Sequence, residues 1–219
     1  MISGRECCIR GDSKAEFLLI QPADEYELGL LENEISYIEK AAAKKFLFAA
    51  FKINDWNGEL SPWAAPPVRG DEPFSGGADK TLKFISEELI PELREKYLLS
   101  PGIKIVVGGY SLAALFSLWA VYKTDIFYGA AAASPSVWFE GWREFAEENR
   151  PHAEKIYLSL GNKEEKTRNR IMAAVGENIR ALYCSLSESV SCVLRINEGN
   201  HFAEPDTRTA KAFLWVIGD

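Results

Sequence analysis

The chain has 219 residues, a length that suits one domain, and residues 1–219 are predicted to form a single domain. Hydrophobic residues make up 47% and charged residues 26% of the chain, which is typical of a globular protein and argues against a disordered or membrane-embedded one. The formal net charge is −7 and no basic stripe is present, so nucleic acid is not an expected partner.

Six short apolar segments rich in strand-forming residues are predicted to be β-strands. They are residues 16–20, 46–51, 103–108, 129–133, 156–160 and 190–196. The segment 129–133 has the weakest pattern, because alanine has no preference for strands. Its place in the alternation of strands and helices indicates that it is a strand.

Helical patterns separate these strands, with apolar residues at spacings of three and four. The patterns are formed by Leu28, Leu31, Ile35 and Ile38, by Leu82, Ile85, Leu89 and Leu93, and by Ile171, Val175, Ile179 and Leu182. Pro91 is expected to kink or break the second helix, residues 112–122 form a buried one, and a last helix covers 206–216 after Pro205. This alternation predicts an α/β fold, a three-layer sandwich with a mostly parallel sheet and helices on both faces.

The turn between the strand 103–108 and the helix 112–122 contains a candidate nucleophile. It reads Gly108-Gly109-Tyr110-Ser111-Leu112-Ala113. A nucleophile elbow is a sharp strand-to-helix turn that needs small residues two places before and two places after the serine, here Gly109 and Ala113. The alternative is that Ser111 only caps the helix. Its context favours Ser111 as the nucleophile of a serine hydrolase with the α/β-hydrolase fold.

The chain has only two histidines, and their places relative to the sheet distinguish them. His201 follows the strand 190–196 and therefore lies at the carboxyl edge of a parallel sheet, where Ser111 also lies and where such sheets bind ligands. His152 precedes the strand 156–160, which places it at the opposite edge. We expect His201 to be the general base and His152 to be an ordinary surface residue.

A carboxylate is expected between the serine and the histidine in chain order. Glu164 and Glu165 both follow the strand 156–160, and either could turn inward to orient the imidazole. Glu164 is the preferred acid and Glu165 the alternate. Asp206 comes after His201, which breaks the expected order.

Two backbone N–H groups are expected to form the oxyanion hole. Leu112, directly after the nucleophile, is expected to provide one of them. The other is expected from the loop after the strand 46–51, where the sequence does not choose among Lys52, Ile53 and Asn54. The predicted mechanism uses Ile53.

Aromatic side chains are expected around the candidate nucleophile. The long segment 54–78 is rich in Pro, Gly and Trp and is predicted to lie over the active site, as long ordered loops often do. Its Trp56, together with Trp138 and Tyr110, is a candidate for contact with the substrate. Packing in the protein interior is the alternative for each of these side chains.

Four stretches of the chain also occur together in a known family. They are Gly108-Gly109-Tyr110-Ser111-Leu112-Ala113-Ala114-Leu115, Ala133-Ser134-Pro135-Ser136-Val137-Trp138, Tyr157-Leu158-Ser159-Leu160-Gly161 and Gly199-Asn200-His201. From about Phe17 onward the sequence resembles the esterase family of α/β-hydrolases that includes the enterochelin (siderophore) esterases. The resemblance implies a Ser111–Glu164–His201 arrangement and hydrolysis of carboxylic esters. Siderophore-binding members tend to have basic residues around the site, and the sequence shows no such cluster, so a generic acyl or aryl ester is the expected substrate.

The predicted function is therefore that of a serine esterase, which cleaves a small-molecule ester through an acyl-enzyme on Ser111. A thioesterase or acyltransferase with the same triad and a siderophore esterase are the catalytic alternatives. A binding module that retains the hydrolase fold is the non-catalytic one. Hydrolysis of this kind needs no metal and no organic cofactor.

The sequence gives no indication of a membrane or metal role. No segment approaches the roughly 18 consecutive apolar residues of a membrane helix, and residues 1–8 lack the apolar part of a signal peptide, so a cytoplasmic location is expected. The four cysteines lack the spacing of a zinc site and are expected to be reduced thiols. They are Cys7, Cys8, Cys184 and Cys192.

Overall fold

The predicted strands form one sheet in a computed structural model of the chain, which describes residues 1–218. In chain order the strands are β1 (Cys7–Gly11), β2 (Phe17–Ala23), β3 (Phe46–Lys52), β4 (Ala64–Ala65), β5 (Phe74–Ser75), β6 (Lys104–Tyr110), β7 (Gly129–Ala133), β8 (Lys155–Gly161) and β9 (Ser191–Asn197). The helices are α1 (Glu25–Leu28), α2 (Leu31–Ala41), α3 (Trp56–Leu60), α4 (Ala78–Phe84), α5 (Ile90–Tyr97), α6 (Ser111–Lys123), α7 (Trp142–Glu148), α8 (Arg170–Ala173), α9 (Val175–Leu186) and α10 (Pro205–Ile217). A π-helical segment, Ile85–Leu89, joins α4 to α5, and a 3-10 turn, Glu164–Lys166, follows β8.

The main sheet has seven strands in the spatial order β1-β3-β2-β6-β7-β8-β9. β1 pairs antiparallel with β3, and the other neighbours in this sheet pair in parallel. All six predicted strands are confirmed, with ends within three residues of the predicted ones. The sequence patterns missed β1, which is only half-buried at the sheet edge, and the ribbon of β4 and β5, whose strands have two residues each.

The side chains of β2 show how the sheet is buried on both faces. Phe17 and Leu19 pack on the face covered by α2 and α10, whereas Leu18 and Ile20 pack on the face covered by α6. Successive side chains of a strand point to opposite faces, so a continuous apolar run supplies two hydrophobic cores. The predicted three-layer sandwich is confirmed.

The helix predicted to be buried is α6, in which every residue from Leu112 to Tyr122 is buried. The second predicted helix is irregular near Pro91 but is not interrupted, because α4, the π-helical segment and α5 follow one another without a gap, and Pro91 lies in the first turn of α5. Proline has no N–H group with which to continue a helical ladder. Although α6 is strongly apolar, no helix within residues 1–218 combines the length and apolarity needed to cross a lipid bilayer.

A buried carboxyl group lies between α2 and the sheet. Glu34 is buried, and Gln21 Nε2 on β2 donates a hydrogen bond to its Oε2 over 3.3 Å. Burial raises the pKa of Glu34 from its usual 4.5 to about 8, against the opposing effect of the Gln21 hydrogen bond and with a smaller contribution from Asp206. Glu34 is therefore mainly protonated at neutral pH.

This carboxyl group should make stability depend on pH. The pKa of Glu34 is higher in the folded than in the unfolded chain, so its contribution to stability is full below pH 4.5 and declines as pH rises towards 8. Glu34→Gln removes the ionisation and should be more stable than wild type by on the order of 5 kcal/mol at pH 9, with little difference at pH 4.5. Urea unfolding at both pH values measures this. A stability difference that is equal at the two pH values would contradict the assignment.

Candidate active site

The junction between β6 and α6 has the geometry of a strained elbow. Ser111 has a φ of +55°, in the left-handed region that non-glycine residues rarely adopt. A Cβ atom added at Gly109 would lie 2.7 Å from the Cβ of Ala113. Small residues are therefore required on both sides of Ser111, for the steric reason that the sequence analysis gave.

Three of the predicted site residues meet at the carboxyl edge of the sheet. His201 Nε2 lies 2.9 Å from Ser111 Oγ, and His201 Nδ1 lies 2.7 Å from Glu164 Oε2. Of the two candidate acids, Glu165 points elsewhere, and its carboxylate pairs with the guanidinium of Arg180 at 2.8 Å. The exposed His152 precedes β8, at the other edge. The structure thus brings Ser111, His201 and Glu164 together.

Glu164 is buried and fully hydrogen-bonded. Its Oε1 accepts bonds from the N–H of Gly161 at 2.7 Å, the hydroxyl of Ser134 at 2.8 Å and Nη1 of Arg208 at 3.2 Å. Burial tends to raise the pKa of Glu164, but the hydrogen bond and charge of His201, with the bonds from Gly161 and Ser134, outweigh it and hold that pKa below its usual value. Glu164 is therefore a carboxylate at neutral pH.

Arg208, on α10, is a site residue that the sequence analysis missed. It is 1% exposed, and besides Glu164 it donates hydrogen bonds to the carbonyl oxygens of Glu198 and Asn200 at 2.7 and 3.2 Å. It therefore connects the acid to the loop that carries His201. A signal was available, because Arg208 is spaced by four and eight residues from Ala212 and Val216, on the buried face of α10.

Tyr110 is placed differently from the prediction that it contacts the substrate. Its side chain is buried, and its hydroxyl donates to the carbonyl oxygen of His201 at 2.8 Å and accepts from Arg208 at 3.0 Å. It is not among the residues that line the cavity at Ser111. Tyr110 therefore supports the backbone of His201 from the interior, and this corrects the prediction.

The structure also corrects the predicted second oxyanion donor. Each of the three candidate N–H groups already has an acceptor: Lys52 donates to Glu6 O at 2.9 Å, Ile53 to Ala23 O at 2.8 Å and Asn54 to Glu59 Oε1 at 2.9 Å. The prediction for Ile53 is therefore wrong. The reason is the strand order, because β2 and not β3 lies beside β6. Leu112 lies in the first turn of α6, where N–H groups have no acceptor within the helix.

A cavity of about 340 Å³ opens at Ser111 and His201. Its lining combines apolar side chains with three cations and includes Pro135, Trp138, Met172, Val175, Phe202, Arg69, Lys163 and Lys166. Trp138 thus lies where the sequence predicted, whereas Trp56 lines a separate cleft with Asp24 and Lys52. From the segment 54–78, Arg69 reaches the cavity, and Asn169 Nδ2 donates to the carbonyl oxygen of Val68 at 2.9 Å. The expectation that no basic cluster surrounds the site is therefore wrong, because Arg69, Lys163 and Lys166 all line this cavity.

Within residues 1–218, no cluster of three or more His, Cys, Asp or Glu side chains is arranged to hold a metal ion. The four cysteines are free thiols.

Two comparisons relate the chain to known proteins. The model of the Esterase family, described as "Putative esterase", matches residues 37–184, which is more than half of the 219 residues. No curated protein matches the sequence.

Several solved structures are similar in fold. An IroE-like serine hydrolase from Shewanella oneidensis has a TM-score of 0.79 at 14% identity, with 96% of this chain and 75% of that one covered. The siderophore hydrolase EstA from Aspergillus nidulans has a TM-score of 0.74 at 18% identity, with 97% and 89% covered. The enterobactin esterase FES from Shigella flexneri has a TM-score of 0.70 at 18% identity, with 97% and 54% covered. The chain therefore has the α/β-hydrolase fold, as predicted.

Proposed function

Because the chain belongs to the Esterase family, we propose that it hydrolyses carboxylic esters through an acyl-enzyme on Ser111. The observation that carries this proposal is the continuous contact from Ser111 Oγ to His201 Nε2 at 2.9 Å and from His201 Nδ1 to Glu164 Oε2 at 2.7 Å. A base within hydrogen-bond reach of a serine, itself oriented by a carboxylate, is the arrangement that activates a hydroxyl for attack.

The first half of the reaction forms the acyl-enzyme. His201 Nε2 accepts the proton of the Ser111 hydroxyl while Oγ attacks the ester carbonyl carbon. Glu164 stabilises the imidazolium that results, because its carboxylate accepts a hydrogen bond from Nδ1–H and remains ionised. The N–H group of Leu112 is the expected donor to the oxyanion, and losing one such donor typically lowers turnover about 10²- to 10³-fold.

The first half ends when His201 donates its proton to the oxygen of the leaving alcohol and the C–O bond of the tetrahedral intermediate breaks, which leaves the acyl group on Ser111. The second half releases the acid. A water molecule then loses a proton to His201 and attacks the acyl carbon, so that the carboxylic acid departs and Ser111 regains its hydrogen. A thioesterase would differ in the first half, where a thiol is the leaving group, and an acyltransferase would differ in the second half, where another acceptor replaces water.

Hydrolysis of anionic esters, such as those of siderophores, is a second candidate function. The observation that favours it is the cationic part of the cavity lining, formed by Arg69, Lys163 and Lys166. Two of the similar structures are a siderophore hydrolase and an enterobactin esterase. The apolar part of the cavity lining, which includes Trp138 and Phe202, suits an aromatic or aliphatic group of the same substrate.

Labelling with a fluorophosphonate tests the proposed function, because this reagent phosphonylates activated serines with loss of fluoride. The wild-type protein should be labelled, and peptide mapping should locate the label on Ser111 rather than on Ser136, whose hydroxyl lies 3.4 Å away. Ser111→Ala should show no labelling at an unchanged melting temperature. Labelling that survives this substitution would refute Ser111 as the nucleophile.

A further inference from the structure

The turn Ser134-Pro135-Ser136, which follows β7, contacts both ends of the candidate triad. At one end, the hydroxyl of Ser134 donates to Glu164 Oε1 at 2.8 Å. At the other end, the N–H of Ser136 donates to the carbonyl oxygen of Ser111 at 3.1 Å, and the Ser136 hydroxyl lies 3.4 Å from Ser111 Oγ. Both serines are buried, which strengthens their hydrogen bonds relative to exposed ones.

The turn is rigid for local reasons. Proline fixes the φ of Pro135, and the turn is closed by hydrogen bonds from Val137 N to Pro135 O at 2.7 Å and from Phe139 N to Ser136 O at 3.0 Å. Its first residue is anchored to β8, because Ser134 N donates to Ser159 O at 3.1 Å. The contact of Ser134 with Glu164 and that of Ser136 with Ser111 are therefore made by the same rigid turn.

Ser134 has an unfavourable backbone conformation for a serine. Its φ is +47°, a region that glycine adopts without cost and serine only with strain. A glycine at this position would relax the backbone but would lack the hydroxyl. Serine is thus present where backbone energetics favour glycine, and the bond from its hydroxyl to Glu164 gives a reason.

We propose that the turn Ser134-Pro135-Ser136 is a positioning element that fixes the acid Glu164 and the nucleophile Ser111 relative to each other. The inference rests on the proposed function. The hydroxyl of Ser134 orients Glu164 and stabilises the negative charge of its carboxylate through the hydrogen bond to Oε1. This bond therefore sets how strongly the carboxylate attracts the Nδ1 proton of His201. Ser136 holds the elbow through the carbonyl of Ser111 and presents a hydroxyl donor to Oγ as charge develops there.

Ser134→Gly tests the proposal because it separates stability from positioning. The melting temperature of the variant should stay close to that of wild type, since glycine relieves the strain of a positive φ while the bond to Glu164 is lost. Its turnover should fall about tenfold, the effect of losing one hydrogen bond of ordinary strength. Ser136→Ala should lower turnover and the rate of fluorophosphonate inactivation by a similar factor with KM unchanged. Ser117→Ala removes an equally buried hydroxyl, one that donates to Ala113 O within α6, and is the matched control.

An NMR spectrum gives a readout that does not depend on activity. The chain has two histidines, so the imidazole signals of His201 and His152 are readily told apart, and His152 is an internal reference. With one donor removed from Glu164, and with Arg208 and Tyr110 unchanged around it, the Nδ1–H signal of His201 should shift in Ser134→Gly, because the carboxylate that accepts its hydrogen bond has changed. It should be unchanged in Ser117→Ala.

The outcomes are distinguishable. A His201 Nδ1–H signal that does not shift in Ser134→Gly, or that shifts equally in Ser117→Ala, would overturn the positioning role whether or not the protein is an esterase. Full turnover in both Ser134→Gly and Ser136→Ala would overturn it too. Failure of the wild-type protein to react with fluorophosphonate would instead contradict the proposed function, and the NMR spectrum would still decide whether the turn controls the acid.

Discussion

Replacing His201 with alanine is expected to lower the kcat/KM for p-nitrophenyl acetate by about 10⁴-fold or more. His201 Nε2 is the basic atom within hydrogen-bond distance of Ser111 Oγ, and the other side-chain partner of that oxygen is the Ser136 hydroxyl, which is not a base at neutral pH. The substitution should leave the fold intact, because the imidazole is partly exposed and Tyr110 bonds to the backbone carbonyl of residue 201.

His152→Ala is the matched control for this prediction. His152 is exposed and precedes β8, so it lies at the opposite edge of the sheet from Ser111. Its removal should leave kcat/KM within about twofold of wild type, as is usual for a surface substitution away from a functional site. Similar losses in the two variants would contradict the assignment of His201 as the base.

The three central residues could be predicted because each follows a strand. In a parallel sheet the carboxyl ends of the strands meet at one edge. Because Ser111, Glu164 and His201 each come after a predicted strand, their side chains were expected at that same edge. The same reasoning placed His152 at the other edge. Local patterns also specified the buried helix α6, since it is apolar almost all round.

The prediction of Ile53 failed because local patterns do not encode strand order. β2 lies between β3 and β6, so the loop after β3 is one strand removed from the elbow. Tyr110 was misassigned for a related reason. Its place beside Ser111 in sequence gave no indication that its side chain faces α10, where Arg208 donates a hydrogen bond to its hydroxyl.

The positive charge of the cavity lining could not be predicted from the composition of the chain. A net charge of −7 describes the whole chain, whereas Arg69 comes from the segment 54–78 and Lys163 and Lys166 come from the loop after β8. The acids in that loop do not offset these two lysines, because Glu164 is buried against His201 and Glu165 pairs with Arg180. Only the folded chain brings the three cations to one opening.

Glu164→Gln is expected to lower kcat by about 10⁴-fold with a smaller effect on KM, as when a triad carboxylate becomes an amide that cannot stabilise the imidazolium. The variant should also be less stable, by about 1 to 3 kcal/mol, because the buried guanidinium of Arg208 loses its carboxylate partner. Activity measured well below the melting temperature separates the two effects. An amide at residue 164 that preserved kcat would remove Glu164 from the triad.

Glu165→Gln completes the test, since Glu165 is the alternate acid at the neighbouring position and undergoes the same chemical change. Its carboxylate bonds to Arg180 near the surface, where an ion pair is typically worth less than about 1 kcal/mol, so both kcat and stability should stay close to wild type. A large loss of kcat in Glu165→Gln with little loss in Glu164→Gln would reverse the assignment. Because the two glutamates are adjacent in sequence and differ in their partners, the pair of variants isolates the contact with His201 as the cause of any difference in rate.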